Sequence, residues 1–161
     1  MKYASLLSLL ILALGLVAVP AYSDTVTVSA TVSPYISVTF NYNAVDFGTV
    51  TVGSTDNHPT PDYTTGVYNV TIDTNTNYTV TVSGTDFSDG AGHTFSVANL
   101  KMSVNTTTTF YNFSSVTTSS QTIYNGVDTD TINYHAFLLD VPSGQYAASY
   151  SSTLTINYAT A

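Results

Sequence analysis

The chain has 161 residues, with 10 acidic side chains against 2 basic ones, a formal net charge of −8, and neither Cys nor Trp. Every acid is Asp, and Glu and Arg are absent. These absences exclude disulfides, thiolate zinc sites and cysteine nucleophiles, the HExxH metalloprotease motif, and cationic attraction to nucleic acid or anionic lipid. A hydrophobic content of 43% with 12% aromatic residues is too apolar for a disordered chain. The composition therefore predicts a folded, acidic domain rich in Ser and Thr, not an enzyme, with no cofactor.

Met1–Ser23 has the layout of a secretory signal peptide: Lys2, then an apolar run from Leu6 to Val19, then Pro20 and small residues at Ala21 and Ser23. The run is short for a transmembrane helix. Cleavage is expected after Ser23 or, as the second choice, after Ala21; the first leaves Asp24–Ala161, with Lys101 as its only Lys or Arg. The product is expected outside the cell or at its surface, without a membrane segment once the signal is removed.

From Asp24 onward the hydrophobic period is 2, as half-buried strands require. Asp24–Ser33 is the most regular case, with Val26, Val28, Ala30 and Val32 on one face and hydroxyls on the other. Pro34 ends it. The predicted strands that follow are Tyr35–Tyr42 (Ile36, Val38, Phe40 and Tyr42 inward), Val45–Val52, Val67–Asp73 (Tyr68, Val70 and Ile72 inward) and Tyr78–Ser83 (Tyr78, Val80 and Val82 inward). A Pro-containing loop, Ser54–Gly66, and a Gly/Asp loop, Gly84–His93, punctuate them. Thr94–Val104 reads as one strand with a phase shift near Asn99, suggesting a bulge. Asn105–Ser120 is ambiguous. Gln121–Tyr124 leads into Asn125-Gly126, a strong hairpin signal. Thr131–Val141 and Ser149–Ala159 read as the last strands, with the turn at Pro142-Ser143-Gly144. Short strands at this spacing predict one all-β domain over 34–161, an immunoglobulin-like or jelly-roll-type β-sandwich.

Few residues carry chemistry. His58, His93 and His135 stand alone in the sequence, and the alternation places His135 outward. Asp86 and Asp89, in Asp86-Phe87-Ser88-Asp89-Gly90, are weak calcium candidates, because calcium takes several oxygens from a flexible loop; Asp128-Thr129-Asp130 is a second. Polar turns are the favoured reading of both, and no metal is expected. Lys101 reads as a solvated lysine, or as one partner of an internal isopeptide bond if buried beside Asn or Asp. Asn69, Asn77, Asn105 and Asn112 each begin an N-x-[ST] sequon and are candidate N-glycosylation sites in an exported chain.

The N-terminal segment 24–33 spans about 33 Å when extended at 3.3 Å per residue, long enough to cross a domain and enter a neighbour. If the sandwich lacks a strand, the four apolar knobs of another copy would fill the gap while backbone groups complete a ladder. Such a contact is heterologous and propagates into a filament. The same segment also suits the first strand of its own sandwich.

Val45-Asp46-Phe47-Gly48-Thr49-Val50-Thr51-Val52-Gly53-Ser54, Tyr68–Asn77, and Val141-Pro142-Ser143-Gly144-Gln145-Tyr146 before Tyr150–Tyr158 resemble small secreted β-sandwich filament subunits: the archaeal bundling and thread-like pilins and the related TasA/camelysin-type biofilm matrix fibres. The resemblance covers most of Asp24–Ala161. It implies an extracellular fibre built by N-terminal donor-strand complementation, often glycosylated, serving cell–cell adhesion and biofilm. Some camelysin-type members are described as metalloproteases; the lack of Glu and Cys runs against that activity here. Chaperone–usher pilins share the donor-strand logic, but many carry a disulfide this chain cannot make. The expected partners are identical subunits placed head to tail, with lateral bundling sensitive to salt because like-charged fibres repel until screened. The alternative is a monomeric, carbohydrate-binding β-sandwich with a tyrosine-lined face.

Overall fold

The computed structural model describes residues 27–161. The signal-peptide reading of 1–23 and the position of Val26 lie outside the described residues. The chain divides into a first unit ending at Val32 and a second unit, Ser33–Ala161. In the first unit, residues 27–32 form no strand and are exposed.

The second unit is all-β. Its strands are β1 (Ile36–Phe40), β2 (Asn69–Thr74), β3 (Tyr78–Gly84), β4 (Phe87–Ser88), β5 (Thr94–Phe95), β6 (Leu100–Asn105), β7 (Ser114–Ser115), β8 (Gln121–Gly126), β9 (Ile132–Leu139) and β10 (Leu154–Thr160). A five-stranded sheet in the order β1-β2-β9-β6-β7 packs against a three-stranded sheet, β10-β3-β8, and every pairing is antiparallel. The short β4–β5 pair extends the second layer, with Phe87 stacked on Phe95 at 4.5 Å.

The core follows the period-2 pattern. Tyr68, Val70 and Ile72 leading into and along β2, and Tyr78, Val80 and Val82 of β3, are buried as predicted. Thr lies between them on the outer faces, where branched side chains suit a pleated surface. Leu100, Met102 and Val104 of β6 and Phe137 and Leu139 of β9 complete the interior.

Several elements differ from expectation. Val45–Val52 forms no strand. Gly48 and Gly53 adopt φ of 61° and 79°, in the left-handed region that a strand does not contain. β1 is shorter than Tyr35–Tyr42; the Phe40 ring does point between the sheets, edge-on to His135 and Tyr158, but stays 39% exposed. The phase shift near Asn99 is a 3₁₀ turn, Val97–Asn99, capped by Ser96, and it splits the predicted Thr94–Val104 strand in two. The last strand begins at Leu154, not Ser149, and Pro142-Ser143-Gly144 belongs to a crossover between sheets, since β9 and β10 lie in different layers.

Asn125-Gly126 is not a hairpin turn. Both residues lie within β8, opposite Thr79 and Tyr78, and the chain turns afterwards at Val127–Asp130. Gly126 is required there by packing: a Cβ would lie 2.0 Å from Cζ of Tyr78. The Tyr78 hydroxyl donates to Asp130 Oδ2 at 3.0 Å and accepts from Asn133 Nδ2 at 2.7 Å.

His135 is the other reversal. It is fully buried, because Asn133, His135, Phe137 and Leu139 form the inward face of β9. The two polar members are tolerated because each finds hydrogen-bond partners, as burial of a polar group demands. Among the described residues no buried side-chain N or O atom lacks one.

Candidate functional site

The two sheets meet along two seams. On one side, β6 lies close to β8. On the other, β1 faces β10, and this seam is closed only in part. Where β1 ends, the Phe40 ring meets Tyr158 of β10 edge-on at 6.0 Å. Beyond Phe40, among the described residues, no strand of the five-stranded layer lies beside β10, and a groove of about 1120 Å³ opens between the layers. Its floor is core: Leu100, Phe137, Leu139 and Phe87. One wall is the irregular segment 43–52, which packs Val45, Phe47 and Val50 half-buried on the core. The other wall is the end of the β9–β10 crossover together with Leu154 and Ile156, themselves half-buried. Among the described residues β10 pairs only with β3, so its outer edge presents unused backbone donors and acceptors to the groove.

His135 sits behind the closed end. Its Nδ1 bonds the Tyr42 hydroxyl, on the irregular wall, and its Nε2 bonds the Tyr158 hydroxyl, on β10, at 2.8 Å. One imidazole thus ties together the two sides that flank the groove. Burial pushes its pKa down to about 3. Burial also raises both tyrosines, each further disfavoured as an anion by a neighbouring tyrosine. The triad is uncharged at neutral pH, with one ring nitrogen donating and the other accepting.

The remaining candidate residues are dispersed. His58 pairs with Asp62 at 2.6 Å, and His93 pairs with Asp89 and stacks on Tyr146 at 4.4 Å. Asp89 Oδ1 accepts from the amides of Ala91 and His93, and the His93 ring holds the carboxyl below its usual range. Asp86 caps the 97–99 turn by accepting from the Val97 amide at 2.9 Å. Both carboxylates therefore serve polar turns. Asp130 accepts from Tyr78, Tyr124 and the Val127 amide, while Asp128 is exposed. Among the described residues no three His, Cys, Asp or Glu side chains gather where a metal could be held.

Lys101 is not a solvated lone lysine. Its Nζ lies 3.1 Å from Asp56 and 2.9 Å from Asp140, tying β6 to the 54–57 loop and to the end of β9. The carboxylates of Asp140 and Asp56 raise its pKa, which favours the charged amine over the neutral one that isopeptide formation needs.

The four sequons divide in two. Asn69 and Asn105 are half-buried, and their side-chain amides donate to the carbonyls of Gly66 and Thr109 at 2.8 and 2.6 Å. Asn77 and Asn112 are exposed. Tyr68 and Tyr78 are buried, and Tyr42, Tyr63, Tyr124, Tyr150 and Tyr158 pack against the core, so much of the tyrosine content is interior. The groove, the Tyr42–His135–Tyr158 tie and the Gly126–Tyr78 fit have no local signature, because each is made by residues distant in sequence. Comparison with family models, with characterised proteins and with solved structures finds no match to this chain.

Proposed function

We propose that this protein is a structural subunit of an extracellular filament that polymerises by donor-strand complementation, as the resemblance noted from the sequence implies. The observation that carries the reading is the open groove, apolar at its floor, beside the outer edge of β10. A groove floored by core side chains and flanked by unused ladder groups suits one added strand. The chain also carries a segment with the pattern such a strand needs. In residues 27–32, Val28 is 88% and Val32 79% exposed, in phase with Ala30 and Val26. Insertion of these side chains would contribute on the order of 5–8 kcal/mol before entropic costs, at about 1.5–3 kcal/mol for each large side chain and less for Ala. Export, cell-surface adhesion and biofilm formation belong to the same reading, as does N-glycosylation, for which exposure favours Asn77 and Asn112 over Asn69 and Asn105.

Negative-stain electron microscopy of Asp24–Ala161 at high concentration tests this. Thin uniform fibres are expected from the native sequence and none from Val28→Asp, because an unpaired carboxylate cannot be buried against the groove's apolar floor without a large desolvation cost. The Val28→Asp subunit should remain folded, with the native circular dichroism spectrum. Native-like fibres from that variant, or only compact monomers from the native sequence, would refute the proposal.

A further inference from the structure

The direction in which a donated strand enters the groove follows from where the ends of the domain lie, given the filament reading above. The chain leaves the domain toward its N-terminus at Ser33, whose carbonyl accepts from Asn75 at 3.1 Å. The C-terminus lies at the same place: the Ala161 amide donates to the Asn77 carbonyl at 2.9 Å. Both ends therefore flank the turn between β2 and β3. β10 runs toward this turn, from Leu154 opposite Gly84 to Thr160 opposite Tyr78, and β1 runs away from it, from Ile36 opposite Thr74 to Phe40 opposite Val70. The groove begins where β1 stops. Its turn-side end is shut by Phe40 against Tyr158, and it extends past Ile156 and Leu154 toward Tyr150 and Phe87. The open mouth is thus at the end of the domain away from the termini.

We infer that the segment of a second copy enters at this mouth and runs antiparallel to the edge of β10, with Val32 nearest the mouth and Val28 deeper, toward Phe40 and Tyr158. A segment that leaves one subunit at its turn end and enters the next at the opposite end stacks subunits in one direction. That arrangement is heterologous and open-ended. Entry from the turn side would bring two turn ends together, favour a closed reciprocal pair, and require passage through the Phe40–Tyr158 contact. The antiparallel direction also places the donated backbone in the same chain sense as β1, so it would continue along the seam where β1 leaves off.

Cysteine pairing across the contact tests this cleanly, because the chain has no native Cys. Thr27 and Thr31 on the donor segment and Ser151 and Thr155 along the acceptor wall are all exposed. Each pair is four residues apart, about 13 Å in extended chain, and a disulfide tolerates Cα separations only to about 7 Å. Four double variants are oxidised as fibres and run on a non-reducing gel. Thr31→Cys with Ser151→Cys, and Thr27→Cys with Thr155→Cys, should give ladders of covalent oligomers. Thr31→Cys with Thr155→Cys, and Thr27→Cys with Ser151→Cys, should give markedly less. The opposite ranking would establish a parallel strand and overturn the inference while leaving the filament reading intact. Fibres in which neither these pairs nor the same pairs with Ser29→Cys in place of Thr27→Cys or Thr31→Cys link would show that the donor is not seated along β10, also overturning it. Absence of fibres from the native sequence would overturn the filament reading itself, and the inference with it.

Discussion

Gly126→Ala is expected to destabilise the domain by at least about 3 kcal/mol, at the upper end of what overpacking costs. The added Cβ would sit 2.0 Å from Cζ and 2.3 and 2.4 Å from the two Cε atoms of Tyr78. The ring has little room to retreat. Tyr78 is fully buried, and its hydroxyl is held by Asp130 and Asn133, so any swing that relieves the clash breaks hydrogen bonds in the interior. Asp130 is bound in turn to Tyr124, whose pKa is raised to about 12 by burial and by that carboxylate. A displacement of Tyr78 would therefore disturb β3, β8 and the turn after β8 together. Urea unfolding, read as the shift in midpoint at constant slope, measures the loss. In a Tyr78→Val background Gly126→Ala should cost far less, because the two changes touch and cannot be additive. Were Gly126 instead the second residue of a hairpin turn, as Asn125-Gly126 suggests in isolation, alanine would cost only about 1–2 kcal/mol of left-handed strain, and the same in the Tyr78→Val background.

That contrast marks where sequence reading works in this fold and where it stops. In β2 and β3, Val, Ile and Tyr alternate with Thr and Asn, and the inward set follows from the pattern alone, because one face is buried and the other is not. In β9 both faces are buried: Phe137 and Leu139 on one side, Ala136 and Leu138 on the other. Alternation then cannot decide the phase. What decides it is that Asn133 and His135 meet the hydroxyls of Tyr78, Tyr42 and Tyr158, residues 23 to 93 positions away. Val45–Val52 fails for a related reason. Val45, Phe47 and Val50 pack on the core while Val52 is exposed, and a strand needs a neighbour to complete its ladder. Here the position beside β10 holds the groove. The groove itself could be suspected from the Val-rich segment ahead of Pro34, yet its place could not. An open edge is defined by which strand is missing beside it, and that depends on the whole topology.

Acid should weaken the domain through His135 well above the pH at which its carboxylates titrate. In the unfolded chain the imidazole has its ordinary pKa of about 6.5; in the fold, burial pushes it down to about 3. As pH falls below 6.5 the unfolded state takes up a proton that the folded state refuses, so stability declines by about 1.4 kcal/mol per pH unit until the folded value is reached. Between pH 6.5 and 4.5 the expected loss is about 2 kcal/mol. Asp62, Asp89 and Asp140, whose pKa values are lowered in the fold, add their own loss only as pH passes below about 4. His135→Gln separates the two contributions: its amide can still bond both tyrosine hydroxyls but does not titrate. Urea midpoints at pH 6.5 and 4.5 should differ strongly for the native sequence and little for His135→Gln; equal midpoints in the native sequence would mean that His135 is protonated or solvated. Because Tyr42 and Tyr158 stand on opposite sides of the groove, a proton forced onto His135 would loosen its closed end before the distant core. Filaments held by a strand in that groove should then lose subunits on acidification faster than His135→Gln filaments do.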